Sequence, residues 1–112
     1  LKTNIRLYIE SRFNRALKVS HLAKHLSLSV SHTCHLVKRI FGKSFSQLLL
    51  EKRILHAKML LFDSDLRMEE IANASGFAHV EHFMRMFKQA TGSAPGEFRK
   101  QKFESKQKID YF

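Results

Sequence analysis

The chain has 112 residues, 44% of them hydrophobic, with only 4 glycines and 1 proline, so it suits one compact domain or two very small ones and is too apolar for a disordered tail. Lysine and arginine total 20 against 10 acidic residues, a formal net charge of +10, which points to a polyanionic partner, most commonly nucleic acid. The single cysteine, Cys34, excludes an intramolecular disulfide and suits a reducing, cytoplasmic setting; no apolar run reaches the ~18 residues of a spanning helix, and no signal-peptide pattern is present.

So few glycines and prolines predict helices separated by short turns. Ile5, Ile9 and Phe13, at i, i+4 and i+8, mark the first. Ser20 is the expected N-cap of the second, with Val19 before it as a staple and Leu22, Ala23 and Leu26 facing a core. Ser27 to Ser29 form a turn, and Ser29 caps a third helix from about Val30 to Phe41. That helix carries the stripe Leu36, Val37, Ile40 and Phe41 and ends at Gly42, which supplies the left-handed position. A long helix follows from about Ser46 to Phe62, with Leu49, Ile54, Ala57, Leu60 and Leu61 at helical spacing. Ile71, Ala72 and Ser75 face inward on the next helix, and Gly76 makes the tight turn after it. Phe83, Met86, Phe87 and Ala90 stripe a helix from about His79 to Ala90, ended by Gly92. Pro95 fits the first turn of a short terminal helix anchored by Phe98. The division is then 1–45, a linker helix 46–62, 63–100, and a charged tail 101–112 that is expected to fray.

The chain repeats itself. Val19 to Leu49 resembles Met68 to Phe98: Leu22, Ala23 and Leu28 match Ile71, Ala72 and Phe77 at an offset of 49, and Val37, Lys38 and Gly42 match Phe87, Lys88 and Gly92 at 50. One extra residue therefore sits inside the later helix of the second copy or at its start. Two copies are too few for a solenoid and suit a duplicated supersecondary unit. Each is a pair of helices with a small residue, Ala23 or Ala72, at the crossing. That is the arrangement of a helix-turn-helix, whose second helix places its N-terminal residues against base edges in the major groove.

The outward positions of the two later helices are Val30, Ser31, Cys34, His35 and Lys38 in the first, and Val80, Glu81, Met84, Arg85 and Lys88 in the second. Arg85 suits guanine, Glu81 suits the cytosine amino group, Val80 and Met84 suit thymine methyls, and Ser31 and His35 suit several base edges. Lys38, Arg39, Lys43, Lys88 and Arg99 suit phosphates, which set affinity rather than sequence choice.

At LAKHLSLS…SHTCHLVKRIFGKSFSQLL and, more specifically, IANASGF, FMRMFK and TGSAPGEFR, the chain resembles the DNA-binding domain of the AraC/XylS family of bacterial transcription regulators, over roughly Thr3 to Lys100. The resemblance implies an all-α, seven-helix domain of two helix-turn-helix subdomains joined by a long linker helix. It implies sequence-specific binding of double-stranded DNA by two recognition helices in adjacent major-groove segments, with transcription activated through RNA polymerase. By position the resemblance assigns Ser31, Cys34, His35, Val80, Glu81, Met84 and Arg85 to bases, His82 to the backbone and Arg53 to a structural tie. The residues' own placement adds Val30 to the base-directed set and Ser29, Lys38, Arg39, Lys43, Lys88 and Arg99 to the backbone-directed set. His32 and Thr33 depart from the family pattern and are expected to weaken packing of the first unit, and Cys34 is a poor base reader. The first helix is therefore expected to anchor and the second to discriminate. Because the chain begins at Leu1 rather than Met, a sensing or dimerisation domain ahead of it is expected.

Other readings fit less well. Seven histidines are many, but their spacing matches no standard metal motif and no cysteine pair supports them, so no metal or cofactor is expected. No nucleophile–base set or phosphate-cradling loop suggests an enzyme. The phenylalanines fall on core stripes, unlike RNA-stacking platforms. The basic residues are spread over many helices, unlike a membrane-surface helix.

Overall fold

The computed structural model describes residues 1–101, and every regular element among them is helical. The helices are α1 (Lys2–Arg12), α2 (Val19–Leu26), α3 (Val30–Phe41), α4 (Phe45–Asp63), α5 (Met68–Ala74) and α6 (Val80–Thr91). A further helical stretch, α7, covers 95–101. The expected tail beyond residue 101 lies outside the described residues. Contacts divide the chain into two units, Leu1–Arg53 and a second beginning at Ile54, so the division falls inside α4.

In the first unit the apolar spacing of α1 buries Ile5, Tyr8, Ile9 and Phe13 against Leu22 of α2, Leu36 and Val37 of α3, and Phe45 and Leu49 of α4. Arg53 secures this unit from α4. Its Nε donates to the Phe13 carbonyl at 2.9 Å and its Nη2 to the Arg15 carbonyl at 2.8 Å. Burial pulls its guanidinium below the ordinary arginine pKa, which still leaves it charged. The structural role implied for Arg53 fits these bonds.

In the second unit the buried set is Ile54, Ala57, Leu61, Ile71, Ala72, Phe77, Phe83 and Phe87. Four phenylalanines run through it, with ring centroids 5.2 Å apart for Phe77–Phe83, 5.8 Å for Phe83–Phe87 and 5.3 Å for Phe87–Phe98. These tilted and edge-to-face separations are the favourable ones for aromatic pairs. The buried Ser75 hydroxyl is partnered by His56 Nδ1 at 3.1 Å.

The helix starts differ from expectation. Val19 and Ser20 already lie inside α2, and the N-cap is Lys18. Its backbone N–H donates to His21 Nδ1 at 3.0 Å. Forty-nine residues on, the N–H of Arg67 donates to Glu70 Oε1 at 3.2 Å. Both short helices therefore begin with the side chain at the third helical position reaching back to an orphan backbone donor, one half of a capping box. The long helix begins at Phe45, just ahead of the expected Ser46. There a full box closes, Ser44 N–H to Gln47 Oε1 at 2.9 Å and Gln47 N–H to Ser44 Oγ at 3.2 Å.

The turns match between the copies. Ser27 donates its N–H to the Lys24 carbonyl and Leu28 to the Ala23 carbonyl, while Gly76 donates to Asn73 and Phe77 to Ala72. Each pair is a Schellman motif, with its left-handed residue at Ser27 (φ 59°) or Gly76 (φ 94°). Glycine adopts this conformation without penalty, whereas serine does so at a cost of roughly 1–2 kcal/mol. The later helices are both 12 residues long. The extra residue of the second copy therefore lies in the turn before α6, at Ala78–His79, and not inside the helix.

Candidate nucleic-acid interface

The first candidate helix, α3, starts at a true cap. Ser29 Oγ accepts from the His32 N–H at 3.1 Å, satisfying one of the donors a helix start leaves open. Leu36, Val37 and Thr33 are buried, and Ser31, His32, Cys34, His35, Lys38 and Arg39 are exposed, with Val30 46% exposed. Thr33, expected to weaken the packing, is fully buried and satisfied: its hydroxyl donates to the Ser29 carbonyl at 2.8 Å. His32 lies outside the core, so its departure from an aromatic leaves no gap there. His35 Nδ1 stands 2.8 Å from the Ser31 carbonyl. A carbonyl only accepts, so Nδ1 carries the proton, and a neutral ring presents Nε2 outward as an acceptor.

The second candidate helix, α6, has no side-chain cap at His79 and carries Glu81 in its first turn, where the helix dipole favours a negative charge. Phe83 and Phe87 are buried, and Glu81, His82, Met84, Arg85 and Lys88 are exposed, with Val80 half-buried. Arg85 Nη2 lies 3.2 Å from His82 Nδ1. A guanidinium only donates, so His82 Nδ1 accepts and the neutral ring's proton sits on Nε2. The His82 ring also meets the edge of Phe77, 5.8 Å between centroids. His82 thus offers an outward donor, the polarity a phosphate oxygen requires.

Every base-directed position predicted from sequence therefore lies on the free side of α3 or α6, with Val80 the least exposed. Among the backbone-directed positions, Ser29, Lys38, Arg39, His82 and Lys88 are exposed. Lys43 is exposed but paired with Glu51 at 2.7 Å, a surface pair of the kind worth about 0–1 kcal/mol. Arg99 is different. Its Nε, Nη1 and Nη2 donate to the carbonyls of Leu61, Leu66 and Ser64 at 3.1, 2.9 and 3.1 Å. These carbonyls lie at the C-terminal end of α4 and just beyond it, so Arg99 serves its own fold there, as Arg53 serves the first unit, and does not stand free for a phosphate. His32, read from the sequence only as a departure from the family pattern, is exposed and stands fifty residues before His82. Among the described residues no group of three His, Cys, Asp or Glu side chains could hold a metal ion, and no helix is long and apolar enough to cross a membrane.

A family model described as a helix-turn-helix domain matches residues 22–101. The chain is 35% identical to the uncharacterized HTH-type transcriptional regulator YijO of Escherichia coli, over 87% of this chain and 34% of that protein. It spans about a third of the length of the curated relatives it matches. Its fold superposes with a TM-score of 0.86 on the C-terminal domain of the two-component response regulator yesN from Fusobacterium nucleatum, at 33% identity over 88% of this chain and 96% of that one. It also superposes with a TM-score of 0.84 on the DNA-binding domain of the transcriptional factor AdpA, crystallised in complex with a target DNA, at 23% identity over 88% and 89% of the two chains.

Proposed function

The chain belongs to the AraC-type family of helix-turn-helix DNA-binding domains, and on that premise we propose that α3 and α6 are its two reading helices. Its biochemical role is sequence-specific binding of double-stranded DNA as part of a transcription regulator, a binding and not a catalytic task. The observation that carries the assignment of helices is their equivalence. Each has 12 residues, follows the same Schellman turn and holds an alanine-bearing helix behind it. Each leaves its second, third, fifth, sixth and ninth residues exposed.

On α6, Arg85 donates to guanine, Glu81 accepts from a cytosine amino group, and Val80 and Met84 meet apolar base edges. On α3, His35 accepts through Nε2 and Ser31 hydrogen-bonds, while Val30 and Cys34 make apolar contacts. Ser29, His32, Lys38, Arg39, Lys43, His82 and Lys88 engage the backbone. The domain then works within a longer cytoplasmic regulator whose other part senses a signal or dimerises, and it activates transcription by touching RNA polymerase.

Selection of bound sites from random duplex, followed by footprinting of the winner, tests this reading. Two protected major-groove segments about one helical turn apart are expected. Protection of a single segment rejects the two-headed assignment. Transfer of guanine preference with Arg85, but not with Lys88, is the residue-level check.

A further inference from the structure

A cluster of basic side chains in the first unit lies off α3. An open cavity of about 420 Å³ is lined by Tyr8, Arg12, Arg15, Ala16, Leu17, His21, Lys24 and His25. No acidic residue lines it. The two ion pairs among the described residues, Lys43–Glu51 and Arg67–Glu70, lie elsewhere. On α2 the buried side is Leu22 and Ala23, and His21, Lys24 and His25 occupy the exposed side. The cavity therefore opens away from the packing of α2 on α3 and uses none of the proposed reading residues.

Arg12 and His25 are held in position against Tyr8. Tyr8 is 8% exposed. The Arg12 guanidinium lies 4.4 Å from its ring centroid, and the His25 ring lies 4.6 Å from it. His21 Nδ1 is taken by the Lys18 N–H, so a neutral His21 ring carries its proton on Nε2 and offers a donor. The backbone of Arg15 is fixed at the rim: its N–H bonds the Arg12 carbonyl, and its carbonyl receives Arg53. Two guanidinium groups and an ammonium around an open cavity match the tetrahedral, multiply charged oxygens of phosphate better than a single carboxylate. The volume falls within the roughly 300–1,000 Å³ of small-molecule sites.

We propose that this cavity is a phosphate-binding site, taking a di- or triphosphate group or the phosphodiester of a DNA strand through Arg12, Arg15, Lys24 and His21. Two arms of one nuclear magnetic resonance titration separate the sources. The 15N-labelled chain is titrated with sodium pyrophosphate at constant ionic strength, and separately with a duplex carrying its selected site. Saturable shifts of amides across residues 8–25 in the pyrophosphate arm assign the site to a diffusing phosphate compound. The same shifts in the duplex arm alone assign it to the DNA backbone. In either case the Arg15→Gln, Lys24→Gln double variant weakens the responding arm by roughly tenfold or more, since charge-assisted bonds are lost, while amides of α3 and α6 keep their free-state positions. No saturable shift in either arm overturns the proposal. So does equal affinity of the double variant, or a pyrophosphate response no larger than that to matched chloride.

Discussion

The two helix-turn-helix units share a frame and differ in what fills it. In the first, the later helix buries Thr33 and Val37; in the second, the positions fifty residues on are Phe83 and Phe87. The first unit draws its bulk from elsewhere: Tyr8 is buried in α1, where Ala57 stands forty-nine residues on. The reading faces differ too. Around α3 they are Ser31, Cys34 and His35 behind a serine cap; around α6 they are Glu81, Met84 and Arg85 with no side-chain cap. The alanine, the Schellman motif and the length of the later helix remain common to both. The geometry that aims a helix is thus separable from the volume that supports it and from the chemistry it presents.

The largest expected effect tests the supporting volume. Phe83→Ala removes a fully buried ring and should cost about 3–5 kcal/mol in denaturant unfolding. Thr33→Ala loses one hydroxyl bond and a methyl and should cost about 1–2 kcal/mol. Equal losses would erase the contrast between the cores. The next tests chemistry: Arg85→Ala should reduce discrimination at one guanine by about 1–3 kcal/mol, and Cys34→Ala should change competition between matched and mismatched duplexes by much less. A comparable loss from both would leave no discriminating head.

Smaller effects test the frame. Ser27→Gly relieves a left-handed serine and should raise stability by about 1 kcal/mol, while Gly76→Ser should lower it by a similar amount. The same sign for both would show that the two turns are not equivalent. Smallest is the acid response of α5. The Arg67 N–H, and after it the Arg67 side chain, holds the Glu70 carboxyl below its ordinary pKa. A depressed folded pKa gives stability that is present above the ordinary carboxylate range and lost as pH falls through the folded value. The protection factor of the Arg67 amide, its exchange relative to the intrinsic rate at each pH, should fall only on that acid side, and Glu70→Gln should flatten the response.

Much of this was legible because apolar spacing reports burial directly. Leu36, Val37, Phe83 and Phe87 lie where their intervals place them, and Gly42, Gly76 and Gly92 each have positive φ. Ser27 was harder to read, because a residue with a Cβ gives no sign that it will turn left-handed. The starts at Lys18 and Arg67 were missed because the acceptor belongs to His21 or Glu70, three residues inside the helix. Ser44 and Gln47 did carry a readable signature, the S-x-x-Q of a capping box. Arg99 looked like a phosphate ligand because charge alone does not distinguish a guanidinium facing solvent from one facing carbonyls 33 to 38 residues earlier.

The unequal filling of the two frames sets a rule for redesign. Transplanting α6 whole into the first unit would bring Phe83 and Phe87 into space shaped for Thr33 and Val37, an overpacking that typically costs about 1–3 kcal/mol per site. The reverse graft would open voids. Exchanging only the solvent-facing letters, Ser31, Cys34 and His35 for Glu81, Met84 and Arg85, avoids both. A domain with two identical reading faces is within reach by that route.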